Sequence, residues 1–302
     1  MNIIICEVSS RVLFLLKKQR KEEESMKRVL VLVFVLALGF SLSACGSGDQ
    51  FDLDTESEIV VGLEAAYAPF NWSTPTQNSF TVPLDGQPGF YVDGFDVVMA
   101  QNIADQLGLT LVVRAIDWNG LILALTSGEI DLIIAGMSPT AERAQTVAFS
   151  DEYFRSEQVM VVSTSGNYAN ATSLSDFSGA RIVAQEGTLQ DDLIDQITGV
   201  LHQTTLNNYS ALSVALSSGS VDGFVAELPV AQGLVASNSN FAIVSFADGM
   251  GFTVSDEDVI VSVALRQEDV NLLDAVNQAL ATITTEQRNS YMQAALLRQP
   301  QE

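Results

Sequence analysis

Leu123-Ala124-Leu125-Thr126-Ser127-Gly128-Glu129-Ile130-Asp131 returns later in the chain as Val214-Ala215-Leu216-Ser217-Ser218-Gly219-Ser220-Val221-Asp222. Each copy follows one plan: a helix, a Ser-Gly or Gly-Ser break, an acidic residue and a strand. One plan used twice predicts two similar lobes, each burying its own core.

Working outward from the first copy, 59–63 is a short apolar strand. Residues 96–107 have helical spacing, with Val97, Ala100, Ala104 and Leu107 on one face and Gly108 as the stop. The β-branched stretch 109–116 reads as a strand, 121–126 as a short helix and 130–134 as a buried strand. Around the second copy, strands are expected at 159–162, 181–184 and 223–226, and helices at 189–197, 211–216 and 229–236. A strand at 259–265 and helices at 270–283 and 287–297 close the chain. This alternation predicts an α/β fold with largely parallel sheets. The stretch 71–91 carries Pro75, Pro83, Asp85-Gly86 and Pro88-Gly89, and reads as a long loop with a hairpin around Asp85-Gly86.

The beginning of the chain is not part of that pattern. Lys27-Arg28 precedes an apolar run over 29–40, and Leu42-Ser43-Ala44-Cys45-Gly46 follows. A basic start, a short apolar core and small residues at the cut make a secretory signal. The run is shorter than the ~20 residues that span a bilayer. Residues 1–25 do not fit a leader, and Met26 is the expected start. Residues 46–57 are polar and acidic and read as a tether.

Exported chains often carry disulfides, but the only other cysteine is Cys6, upstream of the leader. All four lysines also precede Cys45. Beyond it, seven arginines stand against 33 acidic residues. That balance excludes nucleic acid and an anionic membrane surface as direct partners. His202 is the only histidine. No His/Cys/Asp cluster has zinc spacing, and no nucleophile elbow or phosphate-binding glycine loop is visible. Neither a metal nor a cofactor is expected.

Several blocks occur in order: Val61-Gly62-Leu63-Glu64-Ala65-Ala66-Tyr67-Ala68-Pro69-Phe70, Gly94-Phe95-Asp96, Asp117-Trp118-Asn119-Gly120-Leu121, Ala135-Gly136-Met137-Ser138-Pro139-Thr140-Ala141-Glu142-Arg143 and Phe149-Ser150-Asp151-Glu152-Tyr153-Phe154. This ordered set, from Ile59 to the C-terminus, resembles the bacterial extracellular solute-binding proteins of family 3, which bind polar amino acids. Leu42-Ser43-Ala44-Cys45 likewise resembles the lipobox, whose cysteine is diacylated. The resemblance implies a two-lobed periplasmic-binding-protein-like α/β fold (type II), with the ligand in a cleft between lobes. The expected division is 1–45 for the upstream extension and lipoprotein signal peptide and 46–57 for the tether. Lobe 1 is expected over 58–160 and 252–302, and lobe 2 over 161–251. The crossings are expected near 158–162 and 248–253. It further implies a free L-amino acid as ligand, the membrane subunits of an ABC importer as partners, a membrane anchor through lipid on Cys45, and a monomer.

The residue types agree with that role. Arg143 can grip a carboxylate with two parallel hydrogen bonds. Ser138-Pro139 reads as N-cap and N1 of the helix bearing Arg143, whose free N–H groups favour an anion. The alternative is an ion pair of Arg143 with Glu142 or Asp151. Glu227 stands where the family often has an aspartate for the ligand's α-ammonium. It could also be a solvated loop carboxylate. Tyr67 and Trp118 fall where the family places aromatic walls, and Gly136 lies at the strand end beside them. Phe70 is expected in the core and Trp72 at the rim. Glu64 falls where the family reaches the far end of the ligand, and a carboxylate there favours arginine or histidine. Pairing of Glu64 with a protein group would instead suit glutamine. Thr188 with Asp191 resembles a capping box, and Thr188 and Gln185 complete the expected pocket. A cleft enzyme using Glu64 and Glu227 as an acid–base pair, and a sensor or adhesion module, are the rival readings.

Overall fold

The structure is a computed structural model that describes residues 50–300. The expected leader, Met26 and Cys45 lie outside the described residues. The described residues form two five-stranded sheets, a small four-stranded sheet and seven α-helices.

The first sheet is built from β1 (Glu58–Leu63), β6 (Thr110–Ala115), β7 (Leu132–Ile133), β8 (Ala148–Arg155) and β14 (Ile260–Leu265), in the order β6-β1-β7-β14-β8. The second contains β9 (Gln158–Ser163), β10 (Arg181–Val183), β11 (Leu201–His202), β12 (Gly223–Glu227) and β13 (Phe241–Val244), in the order β11-β10-β12-β9-β13. The two sheets share one plan. The first three strands are parallel, the fourth runs against them, and the fifth is antiparallel to the fourth. The small sheet, β2 (Ala66–Tyr67), β3 (Asn71–Thr74), β4 (Val82–Pro83) and β5 (Tyr91–Asp93), occupies the region read as a loop and hairpin.

The sequence repeat has a direct structural meaning. Its helices are α2 (Leu121–Thr126) and α4 (Tyr209–Ser217), and each ends at a glycine of positive φ, Gly128 and Gly219. The repeated aspartates then do the same work in both lobes. Asp131 accepts from the Val60 amide of β1 at 3.0 Å, and Asp222 from the Arg181 amide of β10 at 2.8 Å. Each thereby locks its strand entry to the neighbouring parallel strand.

The remaining helices are α1 (Phe95–Leu107), α3 (Leu189–Ile194), α5 (Leu228–Ser237), α6 (Val270–Ala281) and α7 (Thr285–Arg298). Helix α1 stops at Gly108, whose left-handed backbone lets its N–H reach the carbonyls of Ala104 and Asp105. Its buried face carries Val97, Met99, Ala100, Ile103 and Ala104. Helix α7 opens with a full capping box between Thr284 and Gln287.

Two expected positions differ, and one strand was not anticipated. The strand at 158–163 pairs residue by residue with β12, so the chain crosses between lobes at Ser156–Glu157 rather than after residue 160. Strand Ala148–Arg155, whose sequence carries Ser150, Asp151 and Glu152, lacks the apolar pattern that marks a buried strand; it is the edge of its sheet. Part of the stretch expected as a tether packs on the fold. Phe51 is 7% exposed and packs in the core, with its amide donating to Asp269 at 2.8 Å. A phenylalanine within an acidic stretch docks because burying its ring outweighs the cost of ordering a few residues.

Candidate functional site

Strand ends and the turns that follow them converge where the lobes face each other. β1 ends in Glu64, with Tyr67 in β2. The turn after β6 carries Trp118, and the turn after β7 carries Gly136 and Ser138. From the second lobe, β10 runs into Gln185, Gly187 and Thr188, and β12 ends in Glu227. Glu64, Tyr67, Trp118, Gly136, Ser138, Arg143, Gln185, Thr188 and Glu227 all line one cavity.

Arg143 is held by carbonyls. Its guanidinium donates to Ser138 O at 2.9 Å and, across the cleft, to Gly187 O at 3.2 Å. It lies 5.0 Å from the centre of the Trp118 ring, a cation–π contact. Among the described residues no carboxylate lies within ion-pair distance of it, so the expected alternative of a pair with Glu142 or Asp151 does not form. Burial pulls its pKa down to about 10, against the opposing pull of Glu142, Asp192 and Asp258.

The helix expected to start at Ser138-Pro139 is absent. Arg143 begins a single 3-10 turn, Arg143–Gln145, and Ser138 donates to Asp258 O at 3.3 Å. The residues between are spent on a bend that returns Arg143 onto the Ser138 carbonyl. An anion here meets the guanidinium and not a helix start.

Two carboxylates face this arginine's cavity. Glu227 is 4% exposed, and its Oε2 has no hydrogen-bond partner. Desolvation raises its pKa to about 8. It is therefore not the solvated loop carboxylate of the alternative reading. Glu64 is also pushed up, first by burial and further by Asp117. Its two oxygens accept from Gln185 Nε2 at 3.0 and 3.2 Å, and the same amide nitrogen donates to Asn207 O at 2.9 Å.

Thr188 takes the N-cap position of α3, but the capping box does not form. Its hydroxyl turns back and donates to Gln185 O at 2.8 Å, which braces the Gln185 turn instead. Gly187, at φ 70°, presents its carbonyl to both Arg143 and Trp118, whose indole N–H reaches it at 2.9 Å. A Cβ at Gly136 would lie 2.9 Å from the Tyr67 ring, so glycine there makes room for that aromatic wall.

Tyr67 stacks on the fully buried Phe70, 5.2 Å away and 8° from parallel. Trp72, expected at the rim, is buried and lines a separate cavity with Ser73 and Ser213. Its neighbours in β3 pair it into the small sheet, away from the cleft.

Tyr209, Leu189 and Gln190 also line the cavity and were not anticipated. Tyr209 lies 4.9 Å from Tyr67. The signal for it was present: the offset that superposes Leu123 on Val214 also superposes Trp118 on Tyr209. The two lobes thus each send an aromatic ring into the cavity from the same point of the repeat. His202 bonds Asp191 and Asp195 and does not line the cavity. Among the described residues no group of His, Cys, Asp or Glu is placed to hold a metal ion.

Comparison with known proteins agrees with this architecture. The chain is 30% identical over 260 residues to the arginine-binding extracellular protein ArtP of Bacillus subtilis, a match covering 84% of this chain and 92% of that protein. It superposes on the crystal structure of an amino-acid ABC transporter substrate-binding protein from Streptococcus pneumoniae bound to L-arginine. The TM-score is 0.70 and the identity 27%, over 80% of this chain and 94% of the other. An ancestral arginine-binding protein bound to glutamine gives a TM-score of 0.65 and 29% identity, over 80% and 98%. The family model of the bacterial extracellular solute-binding proteins, family 3, matches residues 59–294, and this chain belongs to that family.

Proposed function

We propose that the chain is the extracytoplasmic substrate-binding component of an amino-acid ABC importer, and that its ligand is a basic L-amino acid, arginine or histidine. One observation carries the choice of ligand. The cavity holds one arginine and two carboxylates, Arg143, Glu64 and Glu227, none of them in an ion pair among the described residues. Arginine carries the mirror image, one negative and two positive charges, and histidine does so when its imidazole is protonated.

In this reading Arg143 takes the α-carboxylate and Glu227 the α-ammonium. Glu64 faces the side-chain cation between the Tyr67 and Trp118 rings. Gly136, Ser138, Gln185 and Thr188 shape the remaining wall. Burying a charge without a partner is costly, so a ligand that supplies all three partners is favoured over one that supplies two. Closure of the lobes follows from contacts the ligand makes with both, and the importer's membrane subunits then engage the closed monomer. Lipid on Cys45 holds it at the membrane.

Membership of a solute-binding family makes the chain a binding protein, not a cleft enzyme that turns over its ligand. Glutamine is the competing ligand, because Gln185 already satisfies both Glu64 oxygens and a related ancestral arginine binder was crystallised with glutamine. A thermal-shift screen of residues 50–302 against the twenty amino acids tests the proposal, since a ligand that binds the native state raises the midpoint. The largest shift is expected for arginine or histidine. A largest shift for glutamine replaces the ligand, and a flat response sinks the amino-acid reading.

A further inference from the structure

Asp96 is fully buried in α1, outside the cavity, and two side chains converge on it. Asn71 Nδ2 donates to its Oδ2 at 2.8 Å, and the Tyr153 hydroxyl donates to its Oδ1 at 2.7 Å. Both donors are themselves fully buried. Their remaining capacity is not spent at random. Asn71 Oδ1 accepts from the Ala65 amide at 2.8 Å, and the Tyr153 oxygen accepts from the Gly136 amide at 3.1 Å.

Those two amides belong to special residues. Ala65, next to Glu64, has φ 56° and is the one non-glycine residue of positive φ among the described residues. Gly136 has φ 64° and lies against the Tyr67 ring. Alanine in the left-handed region costs about 1 kcal/mol or more relative to its ordinary conformations, so something must hold it there. Gly94, just before α1, completes the arrangement. A Cβ at that position would fall 2.1 Å from the Phe70 carbonyl, so glycine lets α1 start close enough for Asp96 to reach Asn71.

We infer that Asn71, Asp96 and Tyr153 form a positioning network that presets two left-handed backbone residues, Ala65, next to the cavity-lining Glu64, and Gly136 in the cavity wall. Asn71 holds Ala65, and through it the direction in which Glu64 leaves β1. Tyr153 holds Gly136, and through it the seat of the Tyr67 ring. Asp96 orients both donors. The inference rests on the amino-acid-binding reading for its affinity readout. It extends the site to three residues that touch no ligand and that come from β3, α1 and β8. A site is only as sharp as the groups that fix its contacts.

The test uses residues 50–302 with Asn71→Ala, Tyr153→Phe and the double variant Ala65→Gly/Asn71→Ala, titrated calorimetrically with L-arginine, L-histidine and L-glutamine. Both single variants are expected to lose roughly tenfold in affinity for whichever ligand the parent binds, about the worth of one net hydrogen bond. Because glycine adopts φ near 56° without penalty, adding Ala65→Gly is expected to return part of the affinity lost in Asn71→Ala. A residue that matters only for stability would lower the melting temperature and leave affinity untouched. Amide hydrogen exchange is read on the same samples. Protection at Ala65 should fall in Asn71→Ala and protection at Gly136 in Tyr153→Phe, with the rest of β1 unchanged. If Asn71→Ala does not fold, Tyr153→Phe, which deletes a single oxygen, decides the matter. Folded variants that bind within about twofold of the parent, or that keep protection at both amides, overturn the network. A parent that binds none of the three amino acids overturns the functional reading, and the exchange data still judge the network.

Discussion

The side-chain amide of Gln185 crosses the cleft and donates to both carboxylate oxygens of Glu64, at 3.0 and 3.2 Å. The donor is neutral, so it hydrogen-bonds Glu64 without cancelling its charge. Burial acts on that remaining charge and raises the pKa of Glu64. In the proposed reading, selectivity between a basic and a neutral ligand turns on this one carboxylate.

Glu64→Gln removes the charge and keeps the shape. Arginine affinity is expected to fall by about 1.5–3 kcal/mol, the range for a hydrogen bond to a charged group, while glutamine affinity holds or improves. Competitive calorimetry of the two ligands measures the ratio. An unchanged ratio would remove Glu64 from the selectivity of the site.

Arg143→Ala is expected to cost at least ~2 kcal/mol of affinity, because a ligand carboxylate is left without its charged partner. Arg143→Lys should recover little. Lysine supplies the charge but not the planar fork that bonds Ser138 O and Gly187 O while leaving donors for a ligand. Affinity unchanged in Arg143→Ala would defeat the assignment of the carboxylate clamp.

With Glu227 as the proposed ammonium acceptor, binding is expected to depend on pH. With its pKa raised to about 8, the ligand-free carboxyl is largely protonated at pH 6–7. A ligand ammonium favours the ionised form, so binding releases a proton and affinity should rise from pH 6 to about 8. Calorimetry in buffers of different ionisation enthalpy reads the proton directly, and Glu227→Gln should abolish the release. Stability without ligand moves the other way. The folded state binds more protons than the unfolded one between the ordinary value of 4.5 and about 8, so this contribution is full below 4.5 and is lost as pH rises through 8. Asp96, raised to about 7 by burial, adds to the same trend. A melting temperature that climbs steadily from pH 5 to pH 8 would contradict both.

Gly187→Ala attacks closure. The added Cβ would lie 2.5 Å from Asn119 Oδ1 across the cleft, and the position has φ 70°. Strain of about 1–2 kcal/mol, together with that cross-lobe clash, should weaken ligand binding and reduce the contraction of the radius of gyration on adding arginine. Small-angle scattering with and without arginine measures it. Full contraction in the variant would show that the Gly187 turn does not control closure.

Much of this protein is legible in the chain alone. The repeat 123–131 and 214–222 announced two like lobes because strand entry needs the same glycine turn and the same aspartate in each. Periodicity marked α1, α6 and α7 because their buried faces are continuous. The nine residues expected in a pocket line one cavity; all but Arg143 lie at or within a few residues of a strand end, and strand positions follow from local pattern. Tertiary structure decided the rest. Whether Ser138 caps a helix, where the chain crosses between lobes, and that Gln185 meets Glu64 all depend on groups 5 to 121 residues apart. Local pattern records which face of an element is buried. It does not record which partner from the other lobe a buried polar group will find, such as the Gln185 amide that meets Glu64.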